Sequence, residues 1–202
     1  MAQTLEFFFD YGSPYSYLAS TRVEALCRST GATLRWRPVL LGAIFKATEN
    51  VPPVSNMYKA RYLLKDLLDW TRHYGLPDFV LPDNFPVNSL KADRLGMVAL
   101  EEGRIAAFTP AIYRASFQRG QDIGDLGVLT AALKEAGMDP AKALGRAEGP
   151  DIKDALRLNT EEAVGRGAFG VPSFYVGEDM YVGNDRLAFV ERALQGQGGN
   201  RG

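Results

Sequence analysis

Phe7-Phe8-Phe9-Asp10-Tyr11-Gly12-Ser13-Pro14-Tyr15-Ser16-Tyr17-Leu18 is the stretch on which the fold turns. Leu5 to Phe9 is a short, nearly continuous apolar run, the pattern of a strand covered on both faces. Asp10, Tyr11 and Gly12 break it. Ser13 then stands where a helix N-cap belongs. Pro14 follows at the first helical position, where a missing N–H costs nothing and the fixed φ suits a helix. From Tyr15 the apolar residues recur at helical spacing through Leu18, Ala19, Val23, Leu26 and Cys27. Two readings of Ser13 stand side by side at this point. It is a capping serine, or it is a hydroxyl set at a helix N-terminus, where free amides and the helix dipole stabilise an anion.

Working outward, Ser29-Thr30-Gly31 closes the helix, and Thr33-Leu34-Arg35-Trp36-Arg37 alternates as a strand should, with Pro38 ending it. Strand, helix, strand implies a right-handed βαβ crossover. Leu40 to about Pro53 is expected to be a loop-rich connection carrying the isolated cation Lys46. A long helix then starts at Met57, capped by Asn56 and stopped by Gly75, with Met57, Ala60, Leu64, Leu67, Leu68, Thr71 and Tyr74 on one stripe. Leu76 to Pro86 is irregular. Further helices are expected from Asn88-Ser89 to about Glu102, from the cap and proline Thr109-Pro110 to Arg119, from Asp125 to Gly137, from Asp139-Pro140, and from about Asp151. Strands return only in Ser173–Val176 and Met180–Val182, a hairpin about Gly177-Glu178-Asp179. Asp185 is expected to cap a last helix, and Gly196 to Gly202 to form a frayed tail. The pattern predicts one sheet interrupted by a helical insertion.

The composition bounds what such a chain does. Its 202 residues, 46% hydrophobic, suffice for a sizeable core, and 23 basic against 24 acidic residues leave a net charge of −1. That balance argues against nucleic acid or a membrane surface as partner. The first residues carry neither a basic n-region nor an apolar run long enough for a signal peptide or a span, so the expectation is a cytoplasmic protein. With one cysteine and one histidine, an internal disulfide, a CxxC redox pair and a structural zinc site are all excluded. Cys27 falls on the apolar stripe of the first helix and is expected to be buried. His73 belongs in the last turn of its helix as a dipole-complementing residue, and no Ser/His/Asp spacing points at it.

Several blocks resemble a known family in its own order. They are Phe9 to Ala19, Asn56 with Arg61-Tyr62 and Asp66 to Trp70, Phe85 to Ser89, Phe169-Gly170-Val171-Pro172-Ser173-Phe174, and Val182-Gly183-Asn184-Asp185-Arg186-Leu187. The chain resembles the 2-hydroxychromene-2-carboxylate isomerases and the related kappa-class glutathione transferases. That resemblance implies an α/β, thioredoxin-like fold of the DsbA type, residues 1–40 and 168–202, with a large all-helical insertion at 41–167.

It further implies glutathione as cofactor, its sulfur held as thiolate by the hydroxyl of Ser13. Val171 before a cis Pro172 would pair with its cysteinyl part, and Val182, Gly183, Asn184 and Asp185 would receive its γ-glutamyl end. Lys46, Asn56 and Met57 would contact an aromatic keto-acid substrate, and the assembly would be a homodimer. The implied reaction interconverts 2-hydroxychromene-2-carboxylate and trans-o-hydroxybenzylidenepyruvate in the breakdown of naphthalene-type aromatics. The alternatives are a kappa-like transferase conjugating electrophiles, and a DsbA-like binding module without redox activity. Gly12 and Asn184 depart from residues frequent in the family.

Overall fold

The computed structural model describes residues 2–196. The first strand, β1 (Thr4–Phe9), feeds α1 (Pro14–Thr30) and returns in β2 (Thr33–Pro38), parallel to β1. The chain re-enters the sheet through β3 (Ser173–Val176), antiparallel to β1, and β4 (Asp179–Val182), antiparallel to β3. The order is β2-β1-β3-β4. Between the two halves lie α2 (Leu41–Ala47), a 3-10 turn at Pro53–Ser55, α3 (Met57–His73), α4 (Leu90–Glu101), α5 (Ile105–Phe117), α6 (Leu126–Glu135), α7 (Pro140–Arg146) and α8 (Pro150–Gly165). After β4 comes a 3-10 turn at Asn184–Arg186 and α9 (Leu187–Leu194). This is the expected thioredoxin-like sheet with a helical insertion. Of the tail expected from Gly196 to Gly202, all but Gly196 lies outside the described residues.

The triple phenylalanine explains why β1 is central. Side chains alternate across a strand, so Phe7 and Phe9 face one side and Phe8 the other, and all three are fully buried. Phe7 stacks on Phe9 at 4.9 Å and on Phe174 at 5.3 Å. Phe9 meets Tyr11 edge-on at 5.3 Å, and Tyr11 lies 5.3 Å from Tyr113 of α5. A chain of rings thus joins the sheet to the helical layer. On the opposite face Phe8 packs with Ile44, Ala163 and Tyr175 in a smaller core. There the guanidinium of Arg37 covers Phe8 at 4.8 Å and joins Glu6 at 2.8 Å and Glu162.

The local signals fail at identifiable places. Residues 41–47 are helical, not loop. No side chain next to α2 caps it; the amide of Leu40 donates to Thr160 Oγ1 and that of Leu41 to Asp10 Oδ2. Both acceptors lie outside any sequence window. Thr109 does not start α5, which begins at Ile105 with Pro110 inside it. The hydroxyl of Thr109 is instead bonded to Tyr11 Oη at 2.9 Å, and Ala106, whose carbonyl loses its donor to the proline ring, sits exposed to solvent. On α3 the buried stripe is Leu63, Leu67 and Thr71, while Met57 and Leu64 are exposed. Asp185 makes no capping bond; it lies in a 3-10 turn before α9.

Candidate functional site

The turn at the head of α1 is held in place by its own hydrogen bonds. Ser13 has extended backbone (φ −94°, ψ 114°), and its Oγ accepts the Ser16 amide at 3.2 Å as an N-cap. The same hydroxyl points across at the carbonyl of Val171, 3.5 Å away. Val171–Pro172 is a cis peptide. The Pro172 carbonyl accepts the Gly183 amide at 2.9 Å, which draws the end of β4 to the same place. Gly183 has φ +104°, a backbone conformation strained for any residue with a side chain, which favours glycine there.

These segments rim a cavity of about 560 Å³. Ser13, Val171, Pro172, Val182 and Gly183 all line it. Asn184 is buried behind the rim; its carbonyl accepts Tyr74 Oη at 3.3 Å, and its Nδ2 has no protein partner among the described residues. Asp185 is half exposed and paired with Arg186 at 3.3 Å. Its charge reaches Tyr15, whose hydroxyl donates to Asp66 Oδ2 at 2.7 Å. Burial, then the Asp66 bond and the charges of Asp66 and Asp185, raise the Tyr15 phenol above its usual range. Tyr15 lines the cavity and stays neutral, with the carboxylates of Asp66 and Asp185 acting on it from outside the lining.

The residues expected on the substrate side are elsewhere. Lys46 is exposed on α2 and does not line the cavity; Phe45 does. A helix turns about 100° per residue, so once 41–47 is helical, neighbours point to different sides. Asn56 spends its carboxamide capping α3, accepting the amides of Tyr58 and Lys59, and Met57 is 70% exposed. The cation at the cavity wall is Lys59, in the first turn of α3. Sequence reasoning missed it, together with the apolar walls Phe45, Phe85 and Phe169. The mouth is closed on one side by the Asn50 amide, which donates to the Phe169 carbonyl at 3.0 Å.

No cysteine lines this cavity. Cys27 is buried within α1, and burial, then the charge of Glu24, pushes its thiol up to about 11. A nucleophilic thiolate at Ser13 has to be brought in with a ligand. What the residues offer such a ligand is a hydroxyl at a helix N-terminus, a backbone carbonyl opposite it, carboxylates beside Tyr15, a lysine, and an apolar wall. Those donors and acceptors fit a small thiol peptide with an ammonium and carboxylates. Among the described residues no group of side chains fit to hold a metal ion is found, and no helix is long and apolar enough to cross a membrane.

Comparison with known proteins agrees with this fold. The DSBA-like thioredoxin domain matches residues 4–195. The chain is 32% identical over 194 residues to the 2-hydroxychromene-2-carboxylate isomerase of Pseudomonas putida, covering 94% of this chain and 93% of the relative. It is 31% identical over 210 residues to human glutathione S-transferase kappa 1, covering 96% and 92%. A solved 2-hydroxychromene-2-carboxylate isomerase superposes with a TM-score of 0.86 at 28% identity, over 95% of this chain and 94% of that one.

Proposed function

Because the chain belongs to the DSBA-like thioredoxin domain family, among the 2-hydroxychromene-2-carboxylate isomerases and kappa glutathione transferases, we propose that it is a glutathione-dependent cis-trans isomerase of aromatic keto acids. The substrate of this reading is 2-hydroxychromene-2-carboxylate, the product trans-o-hydroxybenzylidenepyruvate. The observation that carries it is a cysteine-free cavity with a buried serine hydroxyl at a helix N-terminus, aimed across at the Val171 carbonyl. Glutathione held by these residues would supply a thiol for reversible conjugate addition; with the hemiketal ring C–O bond opened to the phenol, rotation about the bond made single and loss of the thiolate would give the trans product.

The protein's share is binding and electrostatics. Ser13 donates a hydrogen bond to the sulfur, and the α1 dipole favours its negative charge. Val171 offers its backbone to the cysteinyl unit. Asp185 and Asp66 receive the ammonium beside Tyr15, and Lys59 neutralises a carboxylate. Phe45, Phe85 and Phe169 enclose the aromatic ring and keep water from it. In the test, Ser13→Ala lowers turnover about a hundredfold, the size of one lost anion donor, at a stability cost of about 1 kcal/mol for the cap. Unchanged turnover at limiting glutathione refutes the assignment.

The similarity to a kappa transferase, 31% against 32%, favours a second reading, conjugation of electrophiles. A stable thioether product without isomerisation decides for it.

A further inference from the structure

The serine turn hangs on two buried carboxylates that the proposed chemistry does not use. The Tyr11 amide donates to Asp93 Oδ1 at 3.1 Å, across 82 positions of sequence, and the Gly12 amide to Asp10 Oδ1 at 2.7 Å. The Ser13 amide donates to the Asp10 carbonyl at 3.0 Å. Asp10 Oδ2 also holds the first amide of α2, from Leu41, at 2.7 Å. One pair of acids therefore fixes β1, α2 and α4 around Ser13.

Their surroundings do not balance two charges. Asp10 is 3% exposed and Asp93 is fully buried, and neither forms a salt bridge with any described residue. The groups facing them are the phenols of Tyr11 and Tyr113, the latter donating to the Asp10 carbonyl at 3.1 Å, and the hydroxyl of Ser89. α2 contributes only the Leu41 amide. The nearest cation on α4, Arg94, points at Glu148 at 3.4 Å, and Lys59 of α3 stands at the cavity wall. Asp93 Oδ2 is buried and makes no hydrogen bond of ordinary geometry among the described residues, the Ser89 hydroxyl being the group beside the carboxylate. An ionised carboxylate in that position is costly, whereas a protonated one is neutral. Ser89 stands beside both acids and also lines the cavity, which gives a proton its route to solvent.

We infer that Asp10 and Asp93 hold one proton between them, carried on Asp93 and exchanged through Ser89, and that this singly charged pair positions the Ser13 turn to receive an anion. The last clause rests on the thiolate reading of Ser13. Loss of the proton sets a second negative charge behind the site where an anion is bound. Burial and then the charge of Asp10 push Asp93 well above the usual carboxylate range. Burial raises Asp10 as well, against hydrogen bonds from Ser89, Leu41 and Gly12 that favour its ionised form. Because the folded-state value of Asp93 lies above its unfolded value, its stabilising contribution is whole in acid and is lost as pH rises through the folded value.

Asp93→Asn mimics the protonated form, keeping an acceptor for the Tyr11 amide without a charge. Denaturation of both proteins between about pH 4 and about pH 9 should show the wild-type folding constant falling relative to the variant by up to about tenfold per pH unit in that window. Glutathione titration calorimetry should show wild-type affinity declining as Asp93 ionises, with the variant unaffected. A ratio of folding constants that stays constant with pH overturns the shared proton. If the variant does not fold, carbon-13 carboxyl resonances of the wild type decide: a buried carboxyl still protonated at about pH 6 supports the pair, and ionisation of all carboxyls below that point overturns it. If neither protein binds glutathione at any pH, the thiolate reading fails, and the stability profile still judges the pair.

Discussion

Gly96→Ala is the substitution that most directly probes how the helical layer supports the serine turn. Gly96 sits buried in the middle of α4, where glycine normally costs about 1 kcal/mol relative to alanine. A Cβ built there would lie 2.8 Å from Cε2 and 3.0 Å from Oη of Tyr11, against a comfortable separation of about 3.5–4.0 Å. The ring has nowhere to go. Its hydroxyl is bonded to Thr109, Phe9 and Phe108 pack against it in T-shaped contacts at 5.3 and 5.7 Å, and the Tyr11 backbone amide is held by Asp93. Overpacking of this kind costs about 1–3 kcal/mol, so after the helix gain the net loss is about 0–2 kcal/mol.

For a chain of this size that lowers Tm by up to about 8 °C. Gly145→Ala is the internal control, since Gly145 is an exposed residue of α7 whose added Cβ meets nothing within 4 Å. It should raise stability by about 0.5–1 kcal/mol. Parallel calorimetric melts check both, and glutathione affinity should weaken in Gly96→Ala alone, because Tyr11 is part of the Ser13 turn. A Gly96→Ala protein as stable as Gly145→Ala refutes the packing argument.

Arg37→Met removes the cation shared by Glu6 and Glu162 on the back of the sheet. Glu6 keeps Arg166 at 2.7 Å, so the loss is set below the roughly 3–5 kcal/mol of an orphaned buried charge, at about 2 kcal/mol by chemical denaturation. The Arg37 hydrogen bond holds Glu162 below the usual carboxylate range, so its stability contribution is present above that range and lost as pH falls through the folded value; the variant's acid limb should be flatter. A variant with the wild-type acid limb counts against that bridge. Lys59→Met should weaken glutathione or substrate binding by about tenfold, the loss of one charge-assisted contact, while Lys46→Met leaves both unchanged. Equal effects in a binding titration would mean that the cavity wall is not what selects the cation.

The head of α1 was legible because it is built from sequentially local geometry. Ser13 and Pro14 announce a helix start by their own chemistry, whereas the cis Val171-Pro172 bond and the segment from Val182 to Asp185 were marked by the resemblance to a family and by no spacing rule. Cysteine count alone removed disulfide exchange. The substrate side was not legible in this way. Lys46 was the visible cation in a stretch without a local cap, so its orientation had no basis until α2 was in place.

What was written in neighbouring residues, then, is the order of the strands and of the helices other than α2, the apolar centre strand and the serine junction. Tertiary structure decided which side chains meet. It made residues 41–47 a helix through amides satisfied by Asp10 and Thr160, drew Thr109 inside α5 to meet Tyr11, and turned Phe45 inward with Lys46 outward. It also set Asp93 behind Asp10, a pairing no spacing rule contains. The physical reason is common to all of them: a buried amide, hydroxyl or carboxylate must find a partner, and the partner is selected by the packing of the whole chain.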